Sequence, residues 1–232
     1  MKIVENKKKL DALLREIRGK DRKIGLIPTM GSIHHGHLSL VEKSKKAYCF
    51  SIVSIFVNPT QFDDLEDLKK YPQSREGDIE KLNEAGCDLL YFPLTKELYP
   101  KEIKSEKTIF DYREILCDKF RPGHFDGVTT VVKSLFDHVK PHQVFFGEKD
   151  FQQLKLVNKV IEKNNLPIRI VSCKSIRLNN GMSISSRYKK FSIKQKNIFR
   201  KIAIDINNCV KNLRLEINEN YLYELKQKLY EN

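Results

Sequence analysis

Three histidines crowd into one short stretch, IPTMGSIHHGH, from Ile27 to His37. His34 and His37 stand three residues apart, so at a helix start their imidazoles share a face. Such a pair could bind a metal, pass a proton or donate to an anion. The metal reading lacks an obvious third ligand at a suitable spacing. The anion reading has physical support: an apolar run before the stretch reads as a strand and the residues after it as a helix. A helix N-terminus offers free N–H groups and a positive dipole end to phosphate. Gly36 removes a side chain between the two rings and is expected to let a base or phosphate approach the backbone. His35 is expected to point to solvent.

Three further stretches carry groups that suit the same ligand. In VNPTQF, Asn58 and Gln61 are neutral amides that donate and accept, as an organic acid with hydroxyls would require. Asn-Pro is also ordinary turn chemistry, which makes Asn58 alone equally readable as structural. In GEKDFQQ, Gly147 leaves room at the backbone and Lys149 supplies a point charge for phosphate. Asp150 could accept from a ribose hydroxyl, sit near Mg²⁺ or cap the next helix. Gln153 follows within the first turn. In GMSISSRY (181–188), hydroxyls beside an arginine could close over a polyphosphate.

These loops need a scaffold that gathers them. Leu10, Leu13, Leu14 and Ile17 predict an amphipathic helix over 5–18. Apolar, β-branched runs predict strands at 23–29, 50–57, 87–93, 143–147 and 167–173. Helices are expected at 36–48, 74–86, 128–139 and 151–164, with 94–127 irregular. Strand–helix alternation with apolar strands implies an α/β fold with a Rossmann-like parallel sheet covered on both faces. Ligands of such sheets bind beyond the carboxyl ends of strands, where the strand order reverses. The composition shifts near residue 176, which divides the chain into 1–175 and a small, mainly helical 176–232. The latter carries expected helices at 192–213 and 219–230.

Composition narrows the class. The 232 residues are 40% hydrophobic and 31% charged, with a net charge of +13. No apolar stretch approaches the roughly 20 residues that span a bilayer, and the N-terminus lacks a secretory signal's apolar centre. A cytoplasmic protein without membrane contact is the expectation. Five cysteines are scattered without a CxxC pair, so free thiols are expected. The positive charge favours anionic partners. The lysines are spread along the whole chain, and no RNA- or zinc-finger-type signature is present, so nucleic acid is not the expected partner.

Taken in order, PTMGSIHHGH, SIFVNPTQF, Tyr71-Pro72, RPGHFDGV, FGEKDFQQL and SISSR resemble the pantoate–β-alanine ligases. The resemblance runs continuously over about residues 20–190. His-x-Gly-His by itself is shared with a wider superfamily of nucleotidyltransferases and aminoacyl-tRNA synthetases. The resemblance implies ATP-dependent condensation of pantoate with β-alanine through a pantoyl adenylate, releasing pyrophosphate and then AMP, with Mg²⁺ accompanying ATP. By the same resemblance, Met30, Gly31, Ser32, Ile33, His34, His35, Gly36 and His37 line the ATP site. His37 is the acid, His34 its companion, and Lys149 the third catalytic group. Gly147, Glu148, Lys149 and Asp150 form an ATP-binding run, and Ile176 contacts adenine. Ile184, Ser185, Ser186 and Arg187 form a lid segment on the phosphates. Gln61 and Gln153 hold pantoate, Gln61 also borders β-alanine, and Asn58 is grouped with them. A homodimer through the N-terminal domain is implied as well.

The chain departs from the family pattern at His35, Thr60, Ser183 and Tyr188, none of which removes a matched catalytic group. Family members normally continue for several tens of residues, so the second domain is expected to be a shortened lid. Other readings are a different small adenylyl- or nucleotidyltransferase, an RNA-binding protein on the same fold, or an inactive homologue.

Overall fold

The computed structural model describes residues 1–105, 107 and 114–213. In chain order its elements are β1 (Lys2–Val4), α1 (Lys7–Gly19), β2 (Ile24–Thr29), α2 (His35–Lys46), β3 (Phe50–Ile55), α3 (Leu65–Lys69), α4 (Arg75–Glu84) and β4 (Leu89–Tyr91). They continue with α5 (Thr95–Leu98), α6 (Leu116–Phe120), α7 (His124–Val139), β5 (Gln143–Gly147), α8 (Phe151–Lys163), β6 (Arg169–Cys173) and α9 (Ile193–Leu213). The chain forms two compact units, Met1–Lys174 and Ser175–Asn232.

The six strands among the described residues of the first unit are all parallel, in the order β1-β4-β3-β2-β5-β6. Side chains alternate across each strand and fill two cores. Ile24, Leu26, Ile52, Leu89, Tyr91, Val144 and Phe146 face the stripes of α1, α7 and α8. Ile27, Val53, Leu90 and Phe145 face α2 and α4 through Leu40, Val41 and Leu82. Most of these side chains are fully buried, each contributing about 1.5–3 kcal/mol. This is the doubly covered parallel sheet that the apolar runs predict.

Two expectations need correction. Residues 94–127 are not uniformly irregular: α5 and α6 lie within them, and α7 begins at His124 rather than 128. Gly127 sits inside α7, where a Cβ would lie 2.3 Å from the Thr60 carbonyl oxygen. The glycine lets α7 press onto the turn at Pro59–Gln61. Strand β1 was not expected at all; three residues are too few for a periodic signal, and its pairing with β4 is what defines it.

In the second unit, Arg177 and Ser183 form an antiparallel bridge, a turn at Ser186–Lys190 follows, and α9 comes after it. The expected helix at 219–230 lies outside the described residues.

Candidate functional site

Strands β3, β2 and β5 are neighbours and parallel, so their carboxyl ends share one edge. The order of the chain reverses between β2 and β5: β3 and β4 extend from one side of β2, and β5 adds on the other. The three informative loops leave from these three strand ends.

The loop after β2 is held from several directions. Gly31 and Ser32 both adopt left-handed backbone, with φ of 81° and 51°. The buried carboxylate of Asp78, on α4, accepts from the amides of Ser32 at 2.8 Å and Ile33 at 2.7 Å. Thr29 donates its hydroxyl to the Ser54 carbonyl and accepts from the Gly31 amide. The Ile33 side chain is buried in the core between the sheet, α2 and α4, and Lys81 donates to its carbonyl.

The two histidines close the start of α2. His34 is the N-cap, and its Nδ1 accepts from the Gly36 amide at 3.2 Å. His37 Nδ1 accepts from the His34 amide at 3.4 Å. The rings stack, with centroids 4.0 Å apart and planes 17° from parallel. Burial, reinforced by the Lys149 ammonium, lowers the His34 pKa to about 4. Burial, then His34 and Lys149, lowers that of His37 to about 3. Both rings are therefore neutral at pH 7. With Nδ1 accepting in each, the proton resides on Nε2, leaving two N–H donors that the cap does not use. Gly36 has a structural role as well: a Cβ there would lie 2.9 Å from His34 Cε1. It makes room for the histidine ring itself. His35 is exposed.

The turn after β3 is buried and saturated. Asn58, 1% exposed, donates to the Gly127 carbonyl at 3.1 Å and to Gln61 Oε1 at 3.2 Å. Its own oxygen accepts from Tyr99 at 2.6 Å and from Thr60 at 3.1 Å. Asn58 thus supports Gln61 from behind. Gln61 Nε2 points to the Met30 sulfur at 2.9 Å, which joins this turn to the histidine loop. The Gln61 carbonyl pairs with His124 Nδ1 at 2.7 Å and accepts from Arg121 at 3.2 Å.

The loop after β5 is open by comparison. A Cβ on Gly147 would meet nothing within 4 Å. Glu148 accepts from the Ser172 hydroxyl at 2.5 Å. Lys149 and Asp150 pair with each other at 3.1 Å on the surface. Asp150 makes no side-chain cap for α8. Gln153 lies half-buried in the first turn of α8. Within the second unit, Ile184 donates its amide to the Ile176 carbonyl at 3.1 Å, and Ser185 caps Arg187 at 3.3 Å.

Several supporting residues escaped the sequence reading: Asp78, Tyr99, Arg121 and His124. Asp78 sits in a polar helical pattern that reads as solvated. RPGHFDGV did mark the region of Arg121 and His124, but nothing local tied it to Gln61. Among the described residues, no three His, Cys, Asp or Glu side chains are arranged to hold a metal.

Comparison with known proteins accords with this geometry. A sequence model of the family described as pantoate-beta-alanine ligase matches residues 2–231. Pantothenate synthetase of Buchnera aphidicola is 41% identical over 99% of this chain and 84% of its own length. That of Acetivibrio thermocellus is 42% identical over 81% of this chain and 66% of its own length. Pantoate-beta-alanine ligase of Francisella tularensis, solved with beta-gamma ATP and β-alanine, superimposes with a TM-score of 0.85 at 33% identity, covering 98% of this chain and 85% of that one. Pantothenate synthetase of Thermus thermophilus gives 0.80 at 36% identity, over 90% and 73%. A family match over nearly the whole chain, on a parallel sheet whose strand ends gather paired imidazoles, a lysine and a glutamine, places this chain in the pantoate–β-alanine ligase family.

Proposed function

We propose that the chain condenses pantoate with β-alanine at the expense of ATP, giving pantothenate, AMP and pyrophosphate. The observation that carries this reading is the meeting of unused Nε2 donors, the Lys149 charge and the Gln61 amide beyond adjacent strand ends. The pantoate carboxylate attacks the α-phosphorus and pyrophosphate leaves. The β-alanine amine then attacks the acyl carbon of the mixed anhydride and AMP leaves. Neither step needs a protein nucleophile; the first needs in-line placement and stabilisation of charge on phosphoryl oxygens, the second an amine held against the acyl carbon.

Two neutral Nε2–H groups donate to such oxygens without placing buried cations side by side beforehand. In the ligand-free chain His37 is a hydrogen-bond donor rather than an imidazolium acid; phosphate charge beside it raises its pKa and lets it hold a proton on the departing oxygen. Lys149 supplies the mobile positive charge. Gln61, with Gln153 from α8, holds the organic acid, and Asn58 braces Gln61. Met30, Gly31, Ser32, Ile33, Gly147, Glu148 and Asp150 shape the nucleotide's surroundings. By the family resemblance alone, Ile176 is assigned to adenine and Ile184, Ser185, Ser186 and Arg187 to phosphate contacts.

Magnesium fits as a passenger of the nucleotide. Mg²⁺ takes one or two carboxylates plus phosphate oxygens and does not require a protein cage; the exposed Asp150 carboxylate suits that part. When bound, the ion shields the triphosphate's charge. A homodimer through the first unit belongs to the same reading. No helix among the described residues is long and apolar enough to cross a membrane. The comparisons do not favour another nucleotidyltransferase or an RNA-binding role.

The test is AMP release with ATP, Mg²⁺ and pantoate, with and without β-alanine. AMP formation that requires both acids is expected. AMP formation indifferent to pantoate would refute the proposal.

A further inference from the structure

The hydrogen bonds behind Gln61 fix its polarity group by group. The Gly127 carbonyl only accepts, so the atom of Asn58 facing it at 3.1 Å is the amide nitrogen. The Asn58 oxygen therefore faces the hydroxyls of Tyr99 and Thr60, at 2.6 and 3.1 Å. The same Asn58 nitrogen has Gln61 as its second partner, which must present Oε1 to receive it. That turns Gln61 Nε2 outward to the Met30 thioether, again a group that only accepts. Each of these links has one allowed direction, whereas the contact between the Thr60 and Tyr99 hydroxyls at 3.0 Å can run either way; the chain begins at Tyr99, a 6% exposed side chain placed just after α5. Ser134 of α7 donates to the Leu98 carbonyl beside it.

The outer end is built to exchange partners. A thioether is a weak acceptor, so Gln61 gives up little when a stronger one arrives. The inner end cannot exchange, because it is buried and saturated.

We infer that Tyr99, aided by Thr60, is a positioning residue that holds Asn58 in the orientation the Gly127 carbonyl selects, so that Gln61 is presented to the acid substrate as a donor. Gln61 then meets an acceptor atom of the acid, a carboxylate or hydroxyl oxygen, and never accepts from one of its hydroxyls. The inference rests on the assignment of Gln61 to the organic acid made above.

Steady-state AMP release with pantoate and ATP varied in turn tests it, with melting midpoints recorded for each variant. Tyr99→Phe is expected to raise KM for pantoate about three- to tenfold, the effect of one hydrogen bond. KM for ATP and kcat are expected to stay within about twofold. Thr60→Val moves the same quantity the same way by less, and carries the test if Tyr99→Phe does not fold. Gln61→Glu should raise KM for pantoate at least as far as Gln61→Ala, because a carboxylate cannot donate. An unchanged pantoate KM in Tyr99→Phe overturns the inference, as does a parallel loss in both KM values and kcat with a lowered midpoint. Near-native behaviour of Gln61→Glu, with Gln61→Ala impaired, overturns the donor polarity. If Gln61→Ala itself leaves the pantoate KM unchanged, the underlying assignment of Gln61 fails instead.

Discussion

The loops after β2 and β5 flank the same site and are made in opposite ways. Residues 29–37 are tied by a buried carboxylate, a threonine hydroxyl, a buried isoleucine and a histidine cap. Residues 147–150 carry their lysine and aspartate on the surface, paired mainly with each other. The difference follows from what each must supply. A hydrogen-bond donor works only in a narrow direction, so its ring has to be fixed before the ligand arrives. A point charge acts over distance and through a flexible stem, so Lys149 needs no fixed geometry. The contrast predicts that damage to the first loop is severe and structural, and damage to the second is electrostatic.

The largest expected effect is at His37. Replacing it with alanine removes one donor aimed at the phosphoryl oxygens, a loss on the order of 10²–10³ in kcat. It also removes the acceptor of the His34 amide, at about 1 kcal/mol of stability. AMP release, with circular dichroism to check the fold, separates the two. Turnover within a few-fold of wild type would mean the stacked rings serve only as a helix cap, and the contrast between the loops would lose its functional meaning.

Asp78 comes next and is the sharper probe, since nothing assigns it to a ligand. Asp78→Ala leaves two loop amides without their acceptor, a cost of about 3 kcal/mol. Denaturant unfolding should show that loss. Asp78→Asn keeps one acceptor oxygen and should lose less. Lys149→Met, on the open loop, should change stability at pH 7.5 by no more than about 0.5 kcal/mol. Equal losses in the two loops would break the comparison.

How much of this could be read from residues alone follows the same division. The loops after β2, β3 and β5 were legible because each follows an apolar run that fills both faces of the sheet. His34 and His37 were legible through their spacing of three at a helix start. The supports were not. Asp78 lies 45 positions beyond Ile33, in a helix whose charged residues read as solvated, and only the crossing of α4 over the turn buries it. Tyr99 acts on Gln61 through Asn58, and each bond exists only after tertiary packing. Gly36 and Gly127 were visible as glycines, but their reasons were not: one clears a ring on its own loop, the other a carbonyl from a distant turn.

The smallest expected effect tests whether the two loops speak to each other. His34 and His37 have folded-state pKa values of about 4 and about 3, below the unfolded value near 6.5. As pH falls below about 6.5 the unfolded chain takes up protons that the folded rings refuse, so stability is drained until the folded pKa values are passed. The contribution is fully present above about pH 6.5 and is lost between there and about pH 3 to 4. Lys149 is one cause of both depressions, second to burial for His34 and third for His37. Lys149→Met should therefore raise both pKa values and soften the acid loss. Between pH 7 and 5 the wild-type melting midpoint should fall further than that of the variant, by on the order of 2 °C. Both proteins carry the same His124 and His138, whose pKa values burial also lowers, so those groups cancel from the difference; among the carboxylates Asp150 is the exception, since it loses its ion-pair partner in the variant. Histidine Cε1 proton shifts followed through the titration would assign it to the stacked pair. Superimposable acid limbs would place the ammonium too far from the rings to act on them, and the site would then have to bind phosphate without the lysine and imidazoles converging.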